Sequence, residues 1–216
     1  IGANVITTRS DVGPDHQDHY VNVAKVIAKE TPNSFYASQF TNMNNPKAHE
    51  LTTAPEIFNQ MNGNVDAIVC GVGTGGTISG LGKYFSEHSP KTEMVLADPE
   101  GSIVKDVVEK NEVKEADYSW LVEGIGEDFI PDTLDLKYIK KAYSVSNKEA
   151  FDTIRNLAST EGILGGSSSG TLIAAAIKYC KDQTVEKNVI TFVCDNGEKY
   201  LNTAYNESWL KEKNLI

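Results

Sequence analysis

The chain has 216 residues, 40% of them hydrophobic and 23% charged, enough for one sizeable core and a small second lobe. Its formal charge of -10 repels phosphate backbones and anionic lipid, and no basic patch offsets it, which excludes nucleic-acid and membrane-surface roles. No apolar run approaches the length of a membrane span and no basic-then-apolar leader opens the chain, so a cytoplasmic protein is expected.

Residues 1–8 (IGANVITT) read as a helix end, a glycine and a strand over 4–8, so the chain is expected to begin inside a domain. His16 and His19 follow in a polar stretch with Gly13-Pro14-Asp15, the setting of a loop or helix start rather than a metal site. Tyr20, Val23, Ala24, Ile27 and Ala28 recur at the spacing of one helix face. Runs rich in β-branched residues predict strands over 34–39, 65–70, 93–98 and 189–194. A helix is expected from near Thr53, with Pro55 in its first turn where the missing N–H costs nothing. Another opens on Ser146-Asn147-Lys148-Glu149, a capping-box pattern, and runs through Ala150, Ile154, Leu157 and Ala158 to Gly162. A last one spans Thr171 to about Lys181.

Apolar strands alternating with helices over long crossovers predict an α/β fold, a mostly parallel twisted sheet covered on both faces. Ligands in such sheets bind beyond the carboxyl ends of the strands. Cys70, Cys180 and Cys194 form no C-x-x-C pair and two of them end apolar runs, which reads as buried thiols in a reducing compartment.

Twelve of the 17 glycines fall in three clusters, 71–82, 124–126 and 162–170. Glycine so placed lets a backbone come close to something. The first cluster, CGVGTGGT, follows an apolar run and leads into a helix-like segment. Amides at a helix N-terminus, with Thr74 and Thr77 as hydroxyl donors, make an anion site. No Gly-Lys-Ser/Thr follows, which excludes a P-loop. Gly71, Gly73 and Gly76 do satisfy G-x-G-x-x-G, with Asp98 placed to meet a ribose, so a dinucleotide competes with a single compact phosphate. A turn for close helix–strand packing is the plain alternative. In the second cluster, EGILGGSSSG, the serines either cap the next helix or present hydroxyls to a ligand. The third, Glu123-Gly124-Ile125-Gly126-Glu127, is a tight turn or a ligand loop.

GVGTGGTISG followed at this distance by EGILGGSSSG resembles the pyridoxal 5'-phosphate enzymes of the tryptophan-synthase-β fold, fold type II. Within that family QFTNMNNPKAHELTTAPEI, DPEGS and VEGIGEDFIPDTLD look most like the cystathionine β-synthase branch, with cysteine synthase as the close relative. The resemblance implies that Gly73, Thr74, Gly75, Gly76 and Thr77 hold the cofactor phosphate. It places the Ser168 hydroxyl on the pyridine nitrogen, Gly124 and Ile125 beside the cofactor, and Gln39 and Gly126 on the substrate side. Asp98 then loses its dinucleotide role. A neutral hydroxyl at the ring nitrogen makes the cofactor a weaker electron sink than a carboxylate would, which suits a carbanion drained at once by a leaving group.

The activity implied is β-replacement through an aminoacrylate, serine and homocysteine giving cystathionine. The alternatives are O-acetylserine and sulfide giving cysteine, and a non-catalytic binding relative. A homodimer is implied, with 1–33 a remnant of the smaller mobile domain and 34–216 the large cofactor domain. No lysine here stands in the context of the family's Schiff-base lysine, so no catalytic residue is assigned and that lysine is expected before Ile1, leaving the fold incomplete at its N-terminus. Glu127 departs from the tyrosine of the animal enzymes at this place, and Cys194 to Tyr200 reads closer to the cysteine-synthase form.

Overall fold

The computed structural model describes residues 2–9, 12, 15–113, 115–117 and 119–216; Ile1, Gly13 and Pro14, named above, lie outside these. Helix α1 (Tyr20–Glu30) comes first, then α2 (Asn44–Leu51) and α3 (Thr53–Gln60). The strand–helix alternation follows: β1 (Ala67–Gly71), α4 (Gly76–His88), β2 (Glu93–Pro99), α5 (Val104–Lys110) and β3 (Ile139–Val145). The chain closes with α6 (Asn147–Glu161), α7 (Ser167–Lys181), β4 (Val189–Ile190) and α8 (Glu207–Glu212).

The four strands form one sheet in the order β3-β2-β1-β4, with every pair parallel. This is the expected α/β architecture. Side chains alternate across the pleat, so Ala67, Val69, Val95 and Ala97 pack with Phe151, Ile154, Leu172 and Tyr179 of α6 and α7. Ile68, Cys70, Met94 and Leu96 pack on the other face with Ile78, Leu81 and Phe85 of α4. Burial on both faces is why β1 and β2 read as unbroken apolar runs.

The capping box at α6 forms as expected, Ser146 accepting from the Glu149 amide and Glu149 reaching back. Two predicted strands do not form. Residues 4–8 and 34–39 are irregular, with Val5 85% and Phe35 82% exposed, because β-branched propensity yields a strand only where a neighbour pairs its backbone. The strand expected over 189–194 is only β4, two residues long. β3 was missed because its burial alternates weakly and Lys140 and Lys141 break the apolar pattern. The face of α1 forms but is at most half-buried, at Val23, Ala24 and Ala28, with none of its residues fully buried. Of the three cysteines, all free, only Cys70 is buried, and the expectation fails for Cys180 and Cys194, since α7 turns Cys180 outward and 194 lies past the end of β4.

Candidate active site

The carboxyl end of β1 runs into Gly73-Thr74-Gly75, and α4 begins at Gly76 with Gly75 at its N-cap in the left-handed region, φ +79°. A side chain there would strain the backbone and collide with Leu134. Among the described residues the amides of Gly73, Thr74, Gly75 and Thr77 have no acceptor. They sit at the positive end of a 13-residue helix. A Cβ on Gly73 would come within 2.5 Å of the Gly124 carbonyl oxygen, so the two glycine loops face each other across a gap only backbone can border.

The surrounding side chains fix this loop from outside. Asn45 of α2 donates to the Thr74 hydroxyl at 2.9 Å and to the Gln39 carbonyl at 2.8 Å, joining two predicted parts of the site. The Thr133 hydroxyl donates to the Thr74 carbonyl at 2.5 Å. His49 lies between Thr77 and Thr53, its ring nitrogens 3.3 Å and 3.0 Å from their hydroxyls. Burial lowers its pKa, which keeps the imidazole neutral at pH 7.

The three serines divide their work by one-residue steps around the first turn of α7, which starts at Ser167 rather than Thr171. Ser167 accepts from the Glu123 amide at 3.1 Å, holding the 124–126 loop. Ser169 accepts from the Cys194 amide at 2.9 Å, holding the chain after β4. Ser168, between them, lines the cavity. The capping reading of the serines fails, because the N-cap is Gly166 and makes no side-chain cap bond.

The two glycine loops, His49 and Ser168 border one cavity of about 870 Å³, within the range of cofactor sites. The ten residues singled out from the sequence all line it: the five from Gly73 to Thr77, the three from Gly124 to Gly126, and Gln39 and Ser168. Asp98 is not among the lining residues. It is 1% exposed, and its Oδ2 accepts from the Lys105 amide at 2.8 Å, so it caps α5. Burial pushes its pKa up to about 6, against the pull of that amide.

Glu127 also lines the cavity. Burial, then the carboxylates of Asp128 and Asp98, push its pKa to about 8. Among the described residues the lining includes no lysine or arginine, and no cluster of histidine, cysteine and acidic groups could hold a metal. Sequence reasoning missed His49, Asn45 and Thr133. The first two stand in the quoted NNPKAHELTT run and could have been found there, whereas Thr133 carries no pattern of its own.

A parallel sheet with acceptor-free amides at the start of α4 and the Ser168 hydroxyl on the same cavity defines an α/β protein whose site suits a phosphorylated ligand. The family model described as pyridoxal-phosphate dependent enzyme matches residues 1–195, and the chain belongs to that family. Cystathionine beta-synthase of Saccharomyces cerevisiae is 39% identical over 223 residues, taking in all of this chain and 44% of that protein. Cystathionine beta-synthase of Apis mellifera is 38% identical, again over the whole chain and 42% of the relative. Cysteine synthase A of Escherichia coli is 36% identical, with 67% of its length covered. The chain therefore spans less than half of those synthases and about two thirds of cysteine synthase A.

The residues present fit the cofactor of this family. Acceptor-free amides at the start of α4 suit a phosphate ester. Gly124, at φ +82°, would send a Cβ into open space, so its backbone borders the cavity without a side chain. No helix among the described residues is long and apolar enough to cross a membrane.

Proposed function

We propose that this chain supplies the phosphate-, ring- and carboxylate-binding walls of a β-replacement enzyme that condenses serine with homocysteine to give cystathionine. The observation that carries the reading is the convergence of the Gly73–Thr77 amides, the Ser168 hydroxyl and Gln39 on one cavity. Bound pyridoxal phosphate supplies the electron sink for a carbanion at the substrate's α-carbon.

The chain's own groups bind and orient. The amides of Gly73, Thr74, Gly75 and Thr77 hold the phosphate, with the α4 dipole behind them. Neutral His49 keeps the Thr77 hydroxyl in place. Ser168 would donate its hydroxyl to the ring nitrogen and, being neutral, would leave that nitrogen unprotonated. Gln39, fixed through Asn45, meets the substrate carboxylate. Gly124, Ile125 and Gly126 shape the substrate side, and Trp120 and Phe192 add aromatic surface to the lining.

The reading takes the Schiff-base lysine from outside residues 1–216, supported by a lining without lysine among the described residues. It assigns 1–33 to a smaller mobile domain and 34–216 to the cofactor domain. The apolar face of α1, none of it fully buried, supports that division. A cytoplasmic homodimer completes it.

The second reading is cysteine synthesis from O-acetylserine and sulfide, favoured by the 67% of cysteine synthase A that the chain covers. Mass spectrometry of products from the intact, cofactor-loaded protein separates them. Cystathionine from serine and homocysteine supports the first, and cysteine from O-acetylserine and sulfide alone supports the second. No product from either pair overturns both and leaves a binding relative.

A further inference from the structure

The backbone at Glu127 is held at both polar atoms. Its amide donates to the Ser102 hydroxyl at 3.1 Å, and its carbonyl accepts from the Ile103 amide at 3.0 Å. One residue earlier the Gly126 amide donates to the Val72 carbonyl at 2.9 Å, tying the loop to the end of β1. The carboxyl is thus the part free to act. It lines the cavity opposite the phosphate loop, with Oε1 4.0 Å from where a Cβ on Gly73 would lie.

Among the described residues no ion pair to Glu127 is seen, and no lysine or arginine lines the cavity. Asp195, another lining carboxylate, already accepts from the Tyr200 hydroxyl at 2.8 Å and pairs with Lys199 at 3.5 Å. The groups acting on Glu127 from the packed elements are Asp98 at the end of β2 and Asp128 beside it, and it acts in turn on the Tyr20 phenol of α1. All are acidic or neutral. Behind it, Asp98 is 1% exposed and its Oδ1 has no partner among the described residues. Once Glu127 ionises, toward and above pH 8, negative potential at this wall opposes an arriving anion and favours an ammonium.

Resting on the β-replacement reading, we propose that Glu127 is a specificity-determining residue that selects an incoming thiol bearing an ammonium group over a bare or purely anionic one. The substrate class is an aminothiol acid such as homocysteine, and hydrosulfide is disfavoured. Burial first, and then the neighbouring carboxylates, raise the Glu127 pKa to about 8, and an ammonium beside it lowers that value.

The test compares homocysteine with 4-mercaptobutanoate, which keeps the thiol and carboxylate and lacks the ammonium, on the cofactor-loaded protein and its Glu127→Gln variant. The wild type prefers homocysteine in kcat/KM by about fivefold or more, with the preference growing from pH 6 to pH 9 as Glu127 ionises, and the preference disappears in the variant. An equal preference in both proteins overturns the proposal. A second readout needs no turnover: choline, a permanent cation inert to an aldehyde cofactor, lowers the Glu127 midpoint followed by carboxyl carbon NMR. If neither thiol reacts, the β-replacement reading falls, and the midpoint alone decides the role of Glu127; a midpoint that choline leaves unmoved overturns it.

Discussion

The two walls of the cavity are built on opposite plans. The wall from Gly73 to Thr77 carries no ionised group, and its Thr74 anchor is bonded to Asn45. It presents amides at a helix start, a partial positive charge fixed by backbone alone. The wall from Gly124 to Asp128 has its backbone pinned to Val72, Ser102 and Ile103 and carries the Glu127 carboxyl, whose affinity for protons is raised. One wall offers constant dipoles suited to a constant anion, while the other can change charge with what approaches it. A cofactor that stays and a substrate that must come and go ask for these different materials.

The largest effect comes from forcing the two walls apart. In Gly73→Ala the new methyl would lie 2.5 Å from the Gly124 oxygen, a backbone atom that cannot swing aside. The phosphate amides then shift by a fraction of an ångström to an ångström. Cofactor affinity falls by about 100-fold, read by titrating cofactor absorbance, while far-ultraviolet circular dichroism shows the fold retained. Unchanged affinity would mean that the amides do not carry the phosphate, and the comparison would collapse.

Ser168→Ala tests whether ring and phosphate are held separately. Loss of one hydrogen bond to a polarised ring costs about 1.5 kcal/mol, or about tenfold in rate, with cofactor still bound through the loop. Complete loss of cofactor from this variant would contradict the division of roles. Asn45→Ala is milder. It frees the Gln39 carbonyl and the Thr74 hydroxyl together, and KM for the first amino acid rises by about fivefold, one neutral hydrogen bond at each end. A larger loss of cofactor than of substrate affinity would show that Asn45 serves the phosphate wall instead.

Legibility in the sequence followed the same divide. β1 and β2 could be read from composition because burial on both faces leaves a long apolar run, and the phosphate loop because glycine and threonine at a strand-to-helix junction have few other uses. G-x-G-x-x-G with Asp98 was a valid pattern whose first meaning failed, since Asp98 is buried and caps α5. Residues 4–8 and 34–39 carried strand propensity without a partner, which no local pattern reveals. Thr133 and Ser167 act through bonds to backbone 59 and 44 residues away, beyond any periodicity. That the middle serine of three faces the cavity depends on the α7 start, and a start assigned four residues late hid the roles of its neighbours.

The smallest predicted effect is the most specific to the acidic wall. The Glu127 carboxyl titrates near 8 in the folded protein against an ordinary 4.5, so between these values the native state keeps a proton that the unfolded chain has released. Stability therefore falls as pH rises from about 4.5 toward 8 and is lowest above 8. Glu127→Gln cannot ionise and escapes that fall. Because the carboxyl is only partly buried, screening reduces the gain to about 1 kcal/mol, or about 3 °C in Tm. The two proteins should melt together at pH 5 and differ by that amount at pH 9, in thermal scans followed by circular dichroism. Asp98, raised to about 6 from 3.8, acts in a lower window common to both proteins and cancels in the difference. An offset equal at both pH values would assign Glu127 a packing role, and the walls would then differ in shape but not in charge.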